Sequence, residues 1–154
     1  MKHPVKNTDL ENRIFAASDA DFNDLALEIF RFQYSNNAIY HQYCNALKLK
    51  VSEINDLTSI PFLPIRFFKS HKVITTPFNP ETLFESSGTT ATGNSKHYIK
   101  DINLYKKSFN LCYNKFYGNA KDKCILGLLP SYLERSNSSL VYMVSELIKE
   151  SENN

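Results

Sequence analysis

"TLFESSGTTATGNSKHYIKD", residues 82–101, decides how the chain is built. Thr82–Glu85 and Lys96–Ile99 are short runs of β-branched, aromatic and aliphatic side chains, and each reads as a strand. Between them, from Ser86 to Ser95, ten residues carry six Ser or Thr and two Gly, and Lys96 and His97 follow at once. Such a stretch is a loop by composition. It is also rich in what an anion needs: hydroxyls, backbone that approaches closely at glycine, and a cation at the exit. Asp101 then stands where a helix cap belongs.

Downstream, Tyr105, Phe109, Cys112 and Phe116 recur at helical spacing, and Gly118 marks the end of that helix. "KCILGLLP", Lys123–Pro130, is a continuous apolar run and predicts a buried strand of a covered sheet. Leu140, Val141, Val144, Leu147 and Ile148 define a last helix, after which "KESENN" is expected to trail into solvent.

Upstream, "SDADFNDLALEIFRFQYS", residues 18–35, sets Phe22, Leu25, Ala26, Ile29 and Phe30 on one helical face behind the start signals Ser18, Asp19 and Asp21. A polar break at Asn36 and Asn37 precedes a second helix carrying Ile39, Tyr40, Tyr43, Cys44 and Leu47. These two helices make an N-terminal arm over residues 18–48. Four prolines between Val51 and Pro80 exclude one long helix there, and "IPFLPIRFFKSHKVIT" reads as a rigid, mostly extended connector with a buried apolar side. Helices alternating with short strands predict an α/β or α+β architecture, taken as one unit over residues 1–154.

Composition narrows the function. The formal net charge is +2 and the charges are interleaved, so no footprint for nucleic acid is present. No apolar stretch reaches the length of a membrane span, and the N-terminus lacks the apolar core of a signal peptide. A cytoplasmic location is the expectation. Cys44, Cys112 and Cys124 are odd in number and far apart, which suggests buried apolar residues and neither disulfides nor a zinc site. His41 and Cys44 share an H-x-x-C spacing, but two ligands do not complete a metal site. His97 reads first as a structural hydrogen-bonder, with a phosphate-ligand or proton-carrier role as the alternative; Arg135 follows the apolar run where ligand sites of α/β sheets gather, and a plain solvent-facing position is an equal reading of it.

As a Walker loop, Gly88–Ser95 fails: Asn94 occupies the position where lysine is required, and "KHYI" intervenes before any helix. "SSGTTATGNSKH" resembles instead the Ser/Thr-Gly-rich signature of adenylate-forming enzymes. Together with "IPFLPIRFFKSHKV" before it, and "HYIKDINLYKKSF" and "ILGLLPSYLERSNSSLVYMV" after it, the chain resembles the LuxE-like acyl-protein synthetases, relatives of the phenylacetate-CoA ligases, from about Phe22 onward.

The resemblance implies the N-terminal portion of the large domain of an adenylate-forming enzyme, with an α/β fold of helical arm, short strands and crossover helices. It implies ATP and Mg2+ as cofactors, a fatty or aromatic carboxylic acid as substrate, and a thiol or protein as acyl acceptor. Carried over by position, Ser86, Ser87, Gly88, Thr89 and Thr90 match the signature's opening and would bind phosphate, with Gly93, Ser95 and Lys96 completing the clamp. No catalytic residue and no protein-held metal is assigned. Ala91 departs from the signature, which has a second glycine there; Gly93 is the candidate to take over the turn. The family's adenine- and ribose-binding motifs and its lid with the catalytic lysine have no counterpart before Asn154, so the expectation is an incomplete nucleotide-binding segment. A noncatalytic interaction domain with a Ser/Gly connector, or a nucleotide-binding remnant, stays open as an alternative, as does self-association.

Overall fold

A computed structural model describes residues 7–86, 93–129 and 136–153. Helices predominate, joined by a small two-stranded antiparallel sheet. The chain divides into two compact units: Met1–Phe67 with Val73–Pro77, and Phe68–Lys72 with Phe78–Asn154. No helix among the described residues is long and apolar enough to cross a membrane.

In the first unit, helices α1 (Asn7–Phe15), α2 (Phe22–Asn36) and α3 (Ala38–Ala46) follow one another. The start signals act a turn earlier than expected. Ser18 donates its hydroxyl to the Asp21 carboxylate at 2.6 Å and accepts the Asp21 N–H on its carbonyl, so these residues close a turn and the helix begins at Phe22. Phe22 itself is exposed, and Leu27 is buried in its stead, beside Leu25 and Phe30. The reason is that α2 is covered on more than one side. Leu27 and Phe30 pack with Tyr40 and Cys44, whereas Leu25 lies beside Arg13 and Ala16, so two stripes are buried and a one-face reading finds only part of them.

Helix α1 escaped the reading because its apolar content is slight. It is fastened by Leu10, almost wholly buried, and by the Arg13 guanidinium, which donates to both Glu28 carboxylate oxygens at 2.9 and 2.6 Å.

Asn37 makes the expected break between α2 and α3. Its N–H closes α2 on the Gln33 carbonyl, and its side chain caps α3 by accepting the Tyr40 N–H at 3.1 Å. Residues 73–77 return to the same place: the Thr75 hydroxyl donates to Gln33 Oε1, and the Thr76 N–H donates to the Asn36 carbonyl at 2.9 Å. Thr76 holds a left-handed conformation (φ +63°) there, a cost of about 1–2 kcal/mol for a β-branched residue.

The proline-rich connector is less extended than expected, with single 3-10 turns at Val51–Glu53 and Leu57–Ser59 and a one-turn helix α4 (Phe67–Ser70). Ile60 and Leu63 cover the α2–α3 core while Phe62 and Ile65 face solvent.

The second unit is built on the hairpin of β1 (Thr82–Glu85) and β2 (Lys96–Ile99), in register Thr82↔Ile99 through Glu85↔Lys96. Both strands were expected. Asp101 caps helix α5 (Ile102–Tyr117) by accepting the Asn103 N–H at 2.8 Å, and Gly118, at φ +80°, ends it. Ser138 caps helix α6 (Ser139–Ser151). Phe84 on β1 meets Tyr105 and Tyr142 with ring centroids 5.1 and 5.6 Å away, while Phe109, Ala120 and Leu147 bury the seam between α5 and α6.

Three expectations need correction in this unit. The apolar run at residues 123–129 joins no ladder among the described residues: Ile125 turns inward, but Leu126 and Leu128 are exposed. A doubly buried strand needs covering layers on both faces, and only one is covered here. Cys112 and Cys124 are exposed, leaving Cys44 as the buried thiol. The tail is tied back: Ser151 is buried, and the Asn153 amide donates to the carbonyls of Lys121 and Lys123.

Glu146 joins α5 to α6 by accepting from Lys106 and, at 2.7 Å, from Lys149. The Lys106 hydrogen bond, followed by that of Lys149, holds the Glu146 carboxyl below its usual value. A depressed folded pKa contributes stability at neutral pH, and that contribution fades as pH falls through the folded value, below about 4.3. Glu146→Gln is therefore expected to cost up to about 1 kcal/mol at pH 7 and less at pH 3. Urea midpoints at the two pH values check this; an equal loss at both would assign Glu146 a packing role.

Candidate functional site

The hydroxyl-rich loop springs from the end of the β1–β2 hairpin. Past the Glu85↔Lys96 pair, the Ser86 N–H donates to the Ser95 carbonyl at 3.0 Å, and the Ser95 N–H donates to the Ser86 hydroxyl oxygen at 2.9 Å. The two serines thus form a neck that fixes both ends of the loop. Accepting one N–H leaves the Ser86 hydroxyl its own proton to donate.

Gly93 sits at φ +81°, and no described residue lies within 4 Å of where a Cβ would stand. The left-handed backbone suits glycine. Ser87, Gly88, Thr89 and Thr90, with Ala91 and Thr92, lie outside the described residues.

Lys96 is exposed at the first position of β2 and makes no ion pair with another described residue. Side chains alternate along a strand, so Lys96 and Tyr98 share one face of β2. Lys72 adds a second cation on that face, its ammonium 5.2 Å from the centre of the Tyr98 ring. His97 points the other way. Desolvation holds its pKa below the ordinary histidine value, so at neutral pH the ring is uncharged and offers an anion no cation.

Asn137 brings a third segment to the neck. Its carbonyl accepts the Glu85 N–H at 2.8 Å, and its side-chain amide donates to Glu85 Oε2 at 2.8 Å. Helix α6 begins two residues later, so its N-terminal end, with partial positive charge, lies next to the end of β1. The Glu85 carboxylate opposes that charge at the same place. Neither Asn137 nor Lys72 was found from sequence: Asn137 meets Glu85 across 52 residues, and Lys72 joins β2 across a proline-rich stretch.

His41 and Cys44 belong to the first unit. His41 Nδ1 lies 3.1 Å from the Tyr34 carbonyl with its ring stacked on Tyr34, and Cys44 is fully buried in the core. Among the described residues no three His, Cys, Asp or Glu side chains converge as a metal site would require. Arg135 lies outside the described residues. No family model, no curated protein and no solved structure matches the chain.

Proposed function

We propose that the chain is part of an ATP-dependent carboxylate-activating enzyme of the LuxE-like kind, in which residues 86–96 hold the phosphates of the nucleotide. A carboxylate oxygen attacks the α-phosphorus, the bond to the bridging oxygen breaks, and pyrophosphate leaves; the acyl group of the resulting acyl-adenylate then passes to a thiol or protein acceptor and AMP is released. Fixed donors that meet the growing phosphate charge without rearranging lower such a barrier, and Mg2+ travels largely on the phosphates themselves.

The observation that carries this reading is the neck. Reciprocal Ser86–Ser95 hydrogen bonds pin the two ends of a segment rich in hydroxyls and glycines, and closing it on an anion therefore costs less entropy than closing an untethered one. Ser86 retains a proton to donate, the backbone at Gly93 is crowded by no described residue, and Lys96 stands exposed at the exit. The second cation, Lys72, adds to the attraction.

Calorimetric titration of the chain with ATP and Mg2+ tests the reading. Binding is expected, and the double variant Thr89→Ala/Lys96→Ala is expected to weaken it at least about tenfold, the loss of one charged and one neutral hydrogen bond. Exchange of labelled pyrophosphate into ATP in the presence of a fatty or aromatic acid reports the chemical step. Absence of heat at about 1 mM nucleotide in a folded chain, or binding untouched by the double variant, removes the loop from any such role.

A further inference from the structure

Glu85 and Lys96 face each other across the last rung of the β1–β2 hairpin. Directly opposed residues of an antiparallel pair share one face of the sheet with their Cβ atoms about 4.5–5.5 Å apart, and opposite charges so placed attract. No ion pair forms between these two. The carboxylate is engaged elsewhere: Glu85 Oε2 accepts the Asn137 side-chain amide at 2.8 Å. Asn137 is held in place for this by its own main chain, whose carbonyl accepts the Glu85 N–H at 2.8 Å. Its side chain has no capping duty at the helix that follows, because Ser138 caps α6 by accepting the Val141 N–H. The choice of partner has a physical reason. An exposed lysine–carboxylate pair gains little, since two long side chains must be fixed in one geometry while water screens the charges. The Asn137 amide is short and already anchored, so its hydrogen bond to a charged acceptor forms at a smaller entropic cost.

We propose that Asn137 is a positioning residue: by holding the Glu85 carboxylate, it keeps the Lys96 ammonium unpaired and ready to meet an anion at the exit of residues 86–96. The anion is the phosphate chain of a nucleotide, and for its ligand the inference rests on the reading of the loop given above; the placement of Asn137, Glu85 and Lys96 does not. Without the amide, the carboxylate is released directly across the rung from the ammonium. The two then attract each other in the empty site, and an incoming phosphate has to displace the carboxylate before it reaches the lysine. Affinity falls by the strength of that pair. A neutral donor suits the task, because it restrains the carboxylate and leaves the charge balance of the neck unchanged.

The test uses the full chain with Asn137→Ala, Glu85→Gln and the two combined. Asn137 is exposed and its main-chain bond survives in alanine, so the circular dichroism spectrum should not change. Acetic anhydride acylates only the free amine, and an ammonium paired with a carboxylate yields its proton less readily. Competitive labelling, read lysine by lysine by mass spectrometry, should therefore show Lys96 about threefold slower in Asn137→Ala relative to the other lysines, and back at the wild-type rate in the double variant. Calorimetric titration with ATP and Mg2+ should run in parallel: about threefold weaker in Asn137→Ala, restored when Glu85→Gln is added. A role confined to supporting the neck would lower affinity without that rescue. Unchanged Lys96 labelling in Asn137→Ala overturns the proposal, and so does a loss that Glu85→Gln fails to repair. Labelling needs no nucleotide. A wild-type chain that gives no heat with ATP therefore overturns the phosphate reading of the loop alone, and the Lys96 rates still decide for or against Asn137.

Discussion

Phe84→Ala lowers the stability of the second unit by about 3–5 kcal/mol, the usual cost of emptying the site of a buried phenylalanine. Phe84 is 2% exposed and stands where three elements meet, its ring against Tyr105 of α5 and Tyr142 of α6. Alanine would leave both tyrosines facing a void, and their own mutual contact, centroids 6.1 Å apart, is too distant to close it without a shift of the helices. Phe84 is also one residue from Glu85, which holds Asn137, so loosening there reaches the loop neck. Urea unfolding followed by circular dichroism measures the loss. Phe84→Leu, which fills much of the volume, should recover more than half of it. A loss below about 1 kcal/mol in the alanine variant would mean that the ring cluster is not what joins the hairpin to the helices.

Phe30→Ala has an effect of the same order, about 3–5 kcal/mol, in the first unit. Phe30 is 3% exposed and meets Tyr40 edge to face at 6.1 Å, a geometry that aromatic quadrupoles favour. Tyr40 in turn donates its hydroxyl to the Pro61 carbonyl at 2.6 Å, so the pair connects the helical arm to the proline-rich connector. Burial pushes the Tyr40 phenol above its usual pKa, as expected for a hydroxyl with one carbonyl partner in apolar surroundings. Tyr40→Phe keeps the ring contact and removes the hydroxyl; it should cost about 1 kcal/mol, several times less than the loss of Phe30. If the two substitutions proved equal, the hydroxyl and not the ring packing would be the dominant contribution.

What could be read from the sequence was local. Asp101 and Gly118 bound α5 because a cap and a left-handed stop act within one turn, on groups that their neighbours always present. Asn37 divides α2 from α3 for the same reason, and the two strands flanking the loop were legible from their length and side-chain types. What failed depended on neighbours. Leu27 and Phe22 exchange roles because α2 is covered by α1 as well as α3. The run at 123–129 has the composition of an interior strand, but interior is a property of what lies alongside. Cys112 follows the helical spacing of Tyr105 and Phe109 and is nonetheless exposed, the apolar stripe of α5 being longer than the surface that covers it.

The candidate site divides along the same line. The density of hydroxyls and the lysine at the exit are composition, visible at sight. The closure of the loop by Ser86 and Ser95 follows from pairing the strands in their simplest register. The contacts of Asn137 and Lys72 arise from tertiary packing, and no spacing rule connects them to residues 82–101.

The uneven placement of the three cysteines equips the molecule with a built-in clock. Cys112 and Cys124 stand open to a thiol reagent, whereas Cys44 is 0% exposed within the core of the first unit. With the two outer thiols replaced by serine, alkylation of Cys44 proceeds only through openings of that core. Where reclosure outpaces labelling, its rate divided by that of an unfolded peptide gives the opening equilibrium constant directly. Phe30→Ala would then speed labelling by about two to three and a half orders of magnitude, at about 1.4 kcal/mol for each factor of ten.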